Sequence, residues 1–217
     1  IINYLMLLGW SLDDRTEFFT RQQMIDNFSL ERVNKAPASF DPKKLSAFQD
    51  HYMQQVPLKQ KVAMLLPYLQ RAGYVAKPTP CDVGPQLTRV VEAAGDRIKV
   101  AGDILNYADF FTADDQLAYD EAAFDKRVRA PGAAALLNAY RAALAEAEPF
   151  EPAALEAFTK QFIASRSLQL NDLIHALRVA LTGKAVGLGL FDTLAILGRE
   201  RSLRRIELAL RHAEAPV

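Results

Sequence analysis

The 217 residues carry 50% hydrophobic and 24% charged side chains with a formal net charge of +0, which excludes a disordered tail and leaves room for one large domain or two to three small ones. With the charges balanced, any grip on a polyanion has to come from local clusters of Lys and Arg rather than from the overall field. The single cysteine, Cys81, excludes an internal disulfide and a multi-cysteine zinc site, and fits a reducing compartment.

Helix signals dominate the chain and period-2 strand signals are scarce. Residues 1–8 are apolar but lack a basic leader and stop at Gly9 and Trp10, far short of the roughly 20 needed to cross a bilayer. They read as a core helix, and no membrane partner is expected. The absence of an initiator methionine suggests a fragment whose natural N-terminal neighbour is missing. Thr20 and Gln23 form a capping box that starts a helix, with Phe19 and Met24 placed as a hydrophobic staple. Asp41-Pro42 starts another, and Leu45, Phe48 and Tyr52 then line one face.

From 58 to 71 the apolar set Val62, Leu65, Leu66 and Leu69 continues the helical pattern, with Pro67 forcing a kink or a fresh start and Gly73 a stop. The stretch 77–85, rich in Pro and Gly, is the best linker, so a subdomain boundary is placed near it. Helices follow at 86–94, 103–111, 121–128, 131–146 and 152–165. The last third adds 171–181, ending at Gly183, and a segment from 190 to the C-terminus with a break at Gly198. No fixed-period repeat emerges. The reading is all-α, an irregular helical bundle or cage of subdomains spanning 1–76, 77–130 and 131–217.

The residues offer no convincing active site. His51, His175 and His212 are too far apart for a spaced metal motif, and the acid pairs at 13–14, 114–115 and 120–121 sit where caps and solvated faces explain them. There is no phosphate-cradling Gly-rich loop followed by Lys and Ser/Thr, and no nucleophile elbow. Two arginine settings are more informative. Arg97 lies in a break between helices in Gly95-Asp96-Arg97-Ile98-Lys99. Arg178 precedes Gly183-Lys184 and the small, apolar loop Val186-Gly187-Leu188-Gly189-Leu190. A loop whose backbone can be approached closely, flanked by guanidinium donors, suits a splayed single-stranded loop of RNA, although surface arginines more often pair with acids. The basic run 199–207 reads as an amphipathic closing helix with a solvated face.

Five collinear segments carry a family resemblance. Residues 3–11, Asn-Tyr-Leu-Met-Leu-Leu-Gly-Trp-Ser, closely resemble the segment that follows the second ATP-site signature in bacterial glutamyl-tRNA synthetases. Residues 28–45 resemble that family's helix–loop–helix in the stem-contact region, and 65–74 its following helix. Residues 176–183, Ala-Leu-Arg-Val-Ala-Leu-Thr-Gly, and 189–200, Gly-Leu-Phe-Asp-Thr-Leu-Ala-Ile-Leu-Gly-Arg-Glu, resemble its C-terminal signature. The likeness spans nearly the whole chain and is weakest between 78 and 162. The family commonly has Gln-Pro where this chain has His175-Ala176, and often Pro in place of Leu188.

The resemblance implies a helical cage that clamps the anticodon loop, preceded by a stem-contact segment coupled to a catalytic domain of the same chain. Arg97 and Arg178 fall where such enzymes place arginines facing anticodon bases, and Gly187, Leu188, Gly189 and Leu190 fall in a base-contacting loop, with Arg97 the first choice as reader of the third anticodon base. It further implies glutamate tRNA as partner rather than DNA, and a cytoplasmic location. No cofactor is expected in this fragment, while ATP and Mg2+ serve the intact ligase at an upstream site whose two signatures this chain lacks. The rival readings are a helical protein-interaction adaptor without RNA binding, and a small all-helical enzyme with a dispersed site.

Overall fold

The computed structural model describes residues 1–35 and 37–214. Ala36, inside one of the family-like segments, and residues 215–217, to which the last helix is expected to run, lie outside the described residues. Among the described residues the architecture is all-helical, with no strand: α1 (Ile2–Met6), α2 (Arg21–Asn27), α3 (Pro42–Gln55), α4 (Leu58–Arg71), α5 (Val83–Ala94), α6 (Glu121–Arg127), α7 (Ala133–Leu144), α8 (Pro152–Ala164), α9 (Leu170–Thr182) and α10 (Leu190–Glu214). Tight 3-10 turns complete it, the longest over Ala101–Phe110, where the sequence suggests an ordinary helix from 103.

The local starts follow from side-chain chemistry. Thr20 and Gln23 form the expected reciprocal capping box of α2, and Asp41 accepts the backbone N–H groups of Lys43 and Lys44 ahead of Pro42. Each satisfies donors that a helix start leaves unpaired. Of the two outcomes expected at Pro67, a kink or a fresh start, the fresh start does not occur: Pro67 sits inside α4, where buried Leu65 and Leu69 on either side hold one continuous face against the core. One expectation is corrected. The helix α1 is not a core helix: Asn3 and Tyr4 are buried, while Ile1, Ile2 and Leu5 are 53–69% exposed. The Asn3 side chain donates to the carbonyl of Glu17 at 3.0 Å and accepts the Phe19 N–H at 3.0 Å. Its polar contacts fix α1 to the following loop while its apolar neighbours face outward.

A continuous hydrophobic core runs from Met53 to Ala209. On α5 the buried set Leu87, Val90, Val91 and Ala94 has the i, i+3, i+4, i+7 spacing of one helix face. Helix α9 is different: Leu173, Ala176, Leu177, Val179, Ala180, Leu181 and Thr182 are all buried, because α6, α7 and α10 pack around it. Fully burying each of these leucines contributes about 1.5–3 kcal/mol, so α9 is the axis of the C-terminal half. Helix α6 packs on α9. This contact spans position 130, where a subdomain boundary is expected.

Helix α10 bends at Gly198, at φ 76° and ψ 168°, where the sequence places a break. Its second half does not present the solvated basic face expected of 199–207. Arg205 is fully buried. It donates to Asp114 Oδ1 at 2.7 Å, to the Leu181 carbonyl at 2.7 Å, to Asp109 at 2.8 Å and to Thr112 at 3.1 Å. One turn earlier, Arg201 donates to the same carboxylate at 3.1 Å and to the Phe110 and Thr112 carbonyls. The 109–114 segment turns its carbonyls inward, so guanidinium groups replace the water those acceptors would otherwise need. Asp114 is thus an ion-pair partner rather than a solvated acid, whereas Asp13 and Asp120 accept backbone N–H groups in a turn and a helix cap, as expected.

Candidate nucleic-acid interface

The two arginine settings, 81 residues apart in the sequence, meet on one loop. Arg97 ends the 3-10 turn Gly95–Arg97 that follows α5. Its Nη1 donates to the Gly187 carbonyl at 2.9 Å and its Nη2 to the Ala93 carbonyl at 3.4 Å. Arg178, on the last turns of α9, donates through Nη1 to the next carbonyl, that of Leu188. Two guanidinium groups from separate elements therefore hold consecutive carbonyls of the 183–190 loop. Burial first, and the positive charge of Arg97 second, push the pKa of Arg178 below the usual arginine range.

The loop is pinned from below rather than flexible. Gly183 caps α9 in the left-handed region at φ 73°, and a Cβ there would stand 2.0 Å from the Ala118 carbonyl oxygen, so only glycine fits this crossing. Its own carbonyl accepts the Asp120 N–H at 2.8 Å. Lys184 donates to Asp109 Oδ1 at 2.8 Å and to the Asn106 carbonyl at 2.9 Å. The side chains of Leu188 and Leu190, 2% and 4% exposed, sit in the core. These two candidates are thus anchors whose side chains face inward, because an apolar loop folding over a hydrophobic bundle buries what it can. The loop residues open to solvent are Ala185, Val186 (79% exposed) and Gly187. Gly189 is half-buried, with the Asp192 carboxylate over its Cα.

Some neighbours carried no sequence signal. Tyr107 lies against Arg97; burial pushes its phenol pKa up, and the Arg97 charge partly offsets this. Lys99, two residues beyond Arg97, is held by Asp50 at 3.3 Å. Arg97 itself is exposed and uses only part of its fan of N–H donors on the loop, so donors remain for a group arriving from solvent. The remaining histidines take no part: His51 stacks on Phe18 with ring centroids 3.7 Å apart, and His212 stacks on Tyr119 at 5.0 Å. Among the described residues no group of three His, Cys, Asp or Glu could hold a metal, and no helix is long and apolar enough to cross a membrane.

This geometry can be set beside known proteins. The family model for the anticodon binding domain matches residues 60–210, and that for the catalytic domain of class I tRNA synthetases (E and Q) matches residues 1–47. The glutamate–tRNA ligase of Moorella thermoacetica is 36% identical over 211 residues, covering 97% of this chain and 43% of that protein. That of Roseiflexus castenholzii is 36% identical over 219 residues, 99% of this chain and 43% of that protein. The chain thus spans less than half the length of these curated relatives. A solved glutamate tRNA ligase from Elizabethkingia meningosepticum, in complex with its amino acid, superposes with a TM-score of 0.82 at 24% identity, covering 98% of this chain and 41% of that one.

Proposed function

Because this chain belongs to the anticodon-binding domain family, we propose that it recognises the anticodon loop of glutamate tRNA as the C-terminal part of a cytoplasmic glutamate–tRNA ligase. The observation that carries this reading is the convergence of Arg97 and Arg178 on the consecutive carbonyls of Gly187 and Leu188. In the intact ligase, glutamate activation with ATP and Mg2+ and transfer to the tRNA belong to a catalytic domain of the same chain. The described residues bind and position RNA, and no chemical step runs through them. The exposed apolar residues Ile1, Ile2, Leu5, Ile25, Phe28 and Leu30 lie within the segment matched by the catalytic-domain model and supply the face on which that domain docks.

Arg97 reads the third anticodon base. The Watson–Crick edge of an unstacked cytosine presents adjacent acceptors that a guanidinium can engage, whereas that of guanine presents N–H donors that repel it. Glutamate and glutamine anticodons differ by this C and G. A charge-assisted hydrogen bond of about 1.5–3 kcal/mol corresponds to roughly ten- to hundredfold discrimination. The test is binding of this chain, at two salt concentrations, to a glutamate tRNA transcript and to one whose third anticodon base is G. Salt-sensitive binding that weakens for the altered transcript, with the difference abolished in Arg97→Gln, is expected. Equal binding removes the role of Arg97, and no binding to either transcript returns the chain to the adaptor reading.

A further inference from the structure

A cavity of about 490 Å3 opens between the last turn of α6, the start of α7 and the first half of α9. Its size lies within the ~300–1,000 Å3 typical of ligand sites. Its lining includes Lys126, Arg127, Asn171, His175, Leu136 and Ala176. Neither Lys126 nor Arg127 makes a hydrogen bond or ion pair among the described residues. Arg129, two residues further on, is by contrast engaged with Asp125 and Glu121. The one carboxylate of the lining, Asp172, already accepts the Gln169 N–H at 2.8 Å.

We propose that this cavity binds a backbone phosphodiester of the RNA, as a contact separate from the Arg97–Arg178 loop. The ligand class follows from the charge. Two cations without an ion-pair partner outnumber the single carboxylate of the lining, Asp172, so the cleft carries a net positive charge that attracts an anion, and Arg and Lys both suit phosphate oxygens. Basic side chains do suit the last turn of a helix through its dipole, but such a contact requires no cavity in front of them. A phosphate here fixes the position of the RNA without reading its sequence. His175 lies on the same helix as Arg178, three residues earlier, so this contact adjoins the proposed reading loop.

The inference rests on the RNA-binding reading, and the salt dependence of binding separates the two. Affinity for the glutamate tRNA transcript is measured across a salt series for the unchanged chain, for Lys126→Gln/Arg127→Gln, for the charge-preserving Lys126→Arg/Arg127→Lys, and for Arg204→Gln, an exposed arginine outside the cavity. Thermal melts check that each variant is folded. Loss of this one phosphate contact lowers the slope of log affinity against log salt by about 0.7–0.9, with little change in preference for the third anticodon base. The charge-preserving pair and Arg204→Gln keep the original slope. An unchanged slope in the Lys126→Gln/Arg127→Gln variant, or an equal fall in Arg204→Gln, overturns the phosphate site while leaving anticodon reading intact. Absence of salt-dependent binding by the unchanged chain overturns both.

Discussion

Replacing Arg205 by methionine keeps most of the apolar stem and deletes the guanidinium that ties α10 to the 109–114 segment and to the end of α9. Asp114 keeps Arg201 at 3.1 Å, and the Thr112 carbonyl keeps the same arginine at 3.0 Å. The groups left without that donor are the carbonyls of Leu181 and Asp109, both now within 2.8 Å of Arg205. At about 1–3 kcal/mol for each buried acceptor left unpaired, the substitution costs on the order of 4 kcal/mol. For a chain of this size that lowers the melting temperature by about 8–16 °C. Arg201→Met costs less, because its side chain is 31% exposed and two of its three acceptors still have Arg205. The assay is urea unfolding followed by circular dichroism, with Asp114→Asn and the double variant completing a cycle. A coupling of about 0.5–3 kcal/mol is expected for groups in one network. A loss below about 1 kcal/mol for Arg205→Met, or strict additivity in the cycle, would refute the reasoning.

Two further predictions follow from the loop and from burial. Gly183→Ala combines a left-handed backbone with a Cβ placed 2.0 Å from the Ala118 oxygen; the first alone costs about 1–2 kcal/mol, and the clash adds to it. Gly187→Ala, where the nearest group is Arg178 Nη1 at 4.0 Å, changes stability by less than about 0.5 kcal/mol; chemical denaturation of the pair checks both. Burial pushes the Tyr119 pKa up to about 12, the Arg205 charge offsetting part of the shift. The folded phenol therefore keeps its proton where the unfolded one, near 10, loses it. Stability is level below about pH 10 and falls by about 2–3 kcal/mol as pH rises through 12; denaturation midpoints measured over that window should show a shallower fall in Tyr119→Phe.

What the sequence made legible was whatever is encoded by near neighbours. The Thr20–Gln23 box, the Asp41-Pro42 start, the Gly183 stop and the Gly198 break each depend on residues a few positions apart, and each is where local chemistry puts it. Long-range polar pairing was not legible. Arg201 and Arg205 read as a solvated face because their acceptors, carbonyls and a carboxylate at 109–114, lie about ninety residues away and carry no pattern of their own. Leu188 and Leu190 fell in a base-contacting loop by resemblance, yet period and composition could not say that their side chains turn inward. The exposed face of α1 was missed for the opposite reason: an apolar segment looks the same whether its partner is within the described residues or beyond them. Lys126 and Arg127 drew no notice because nothing in a sequence marks a cation as unpaired.

The Arg97–Arg178 arrangement has an energetic consequence for the free protein. Burial first, and the charge of Arg97 second, lower the proton affinity of Arg178, and Gly183 and Lys184 fix the loop on which both guanidinium groups converge. A group with acceptor atoms that reaches this loop therefore meets two cations at once, and their attractions add.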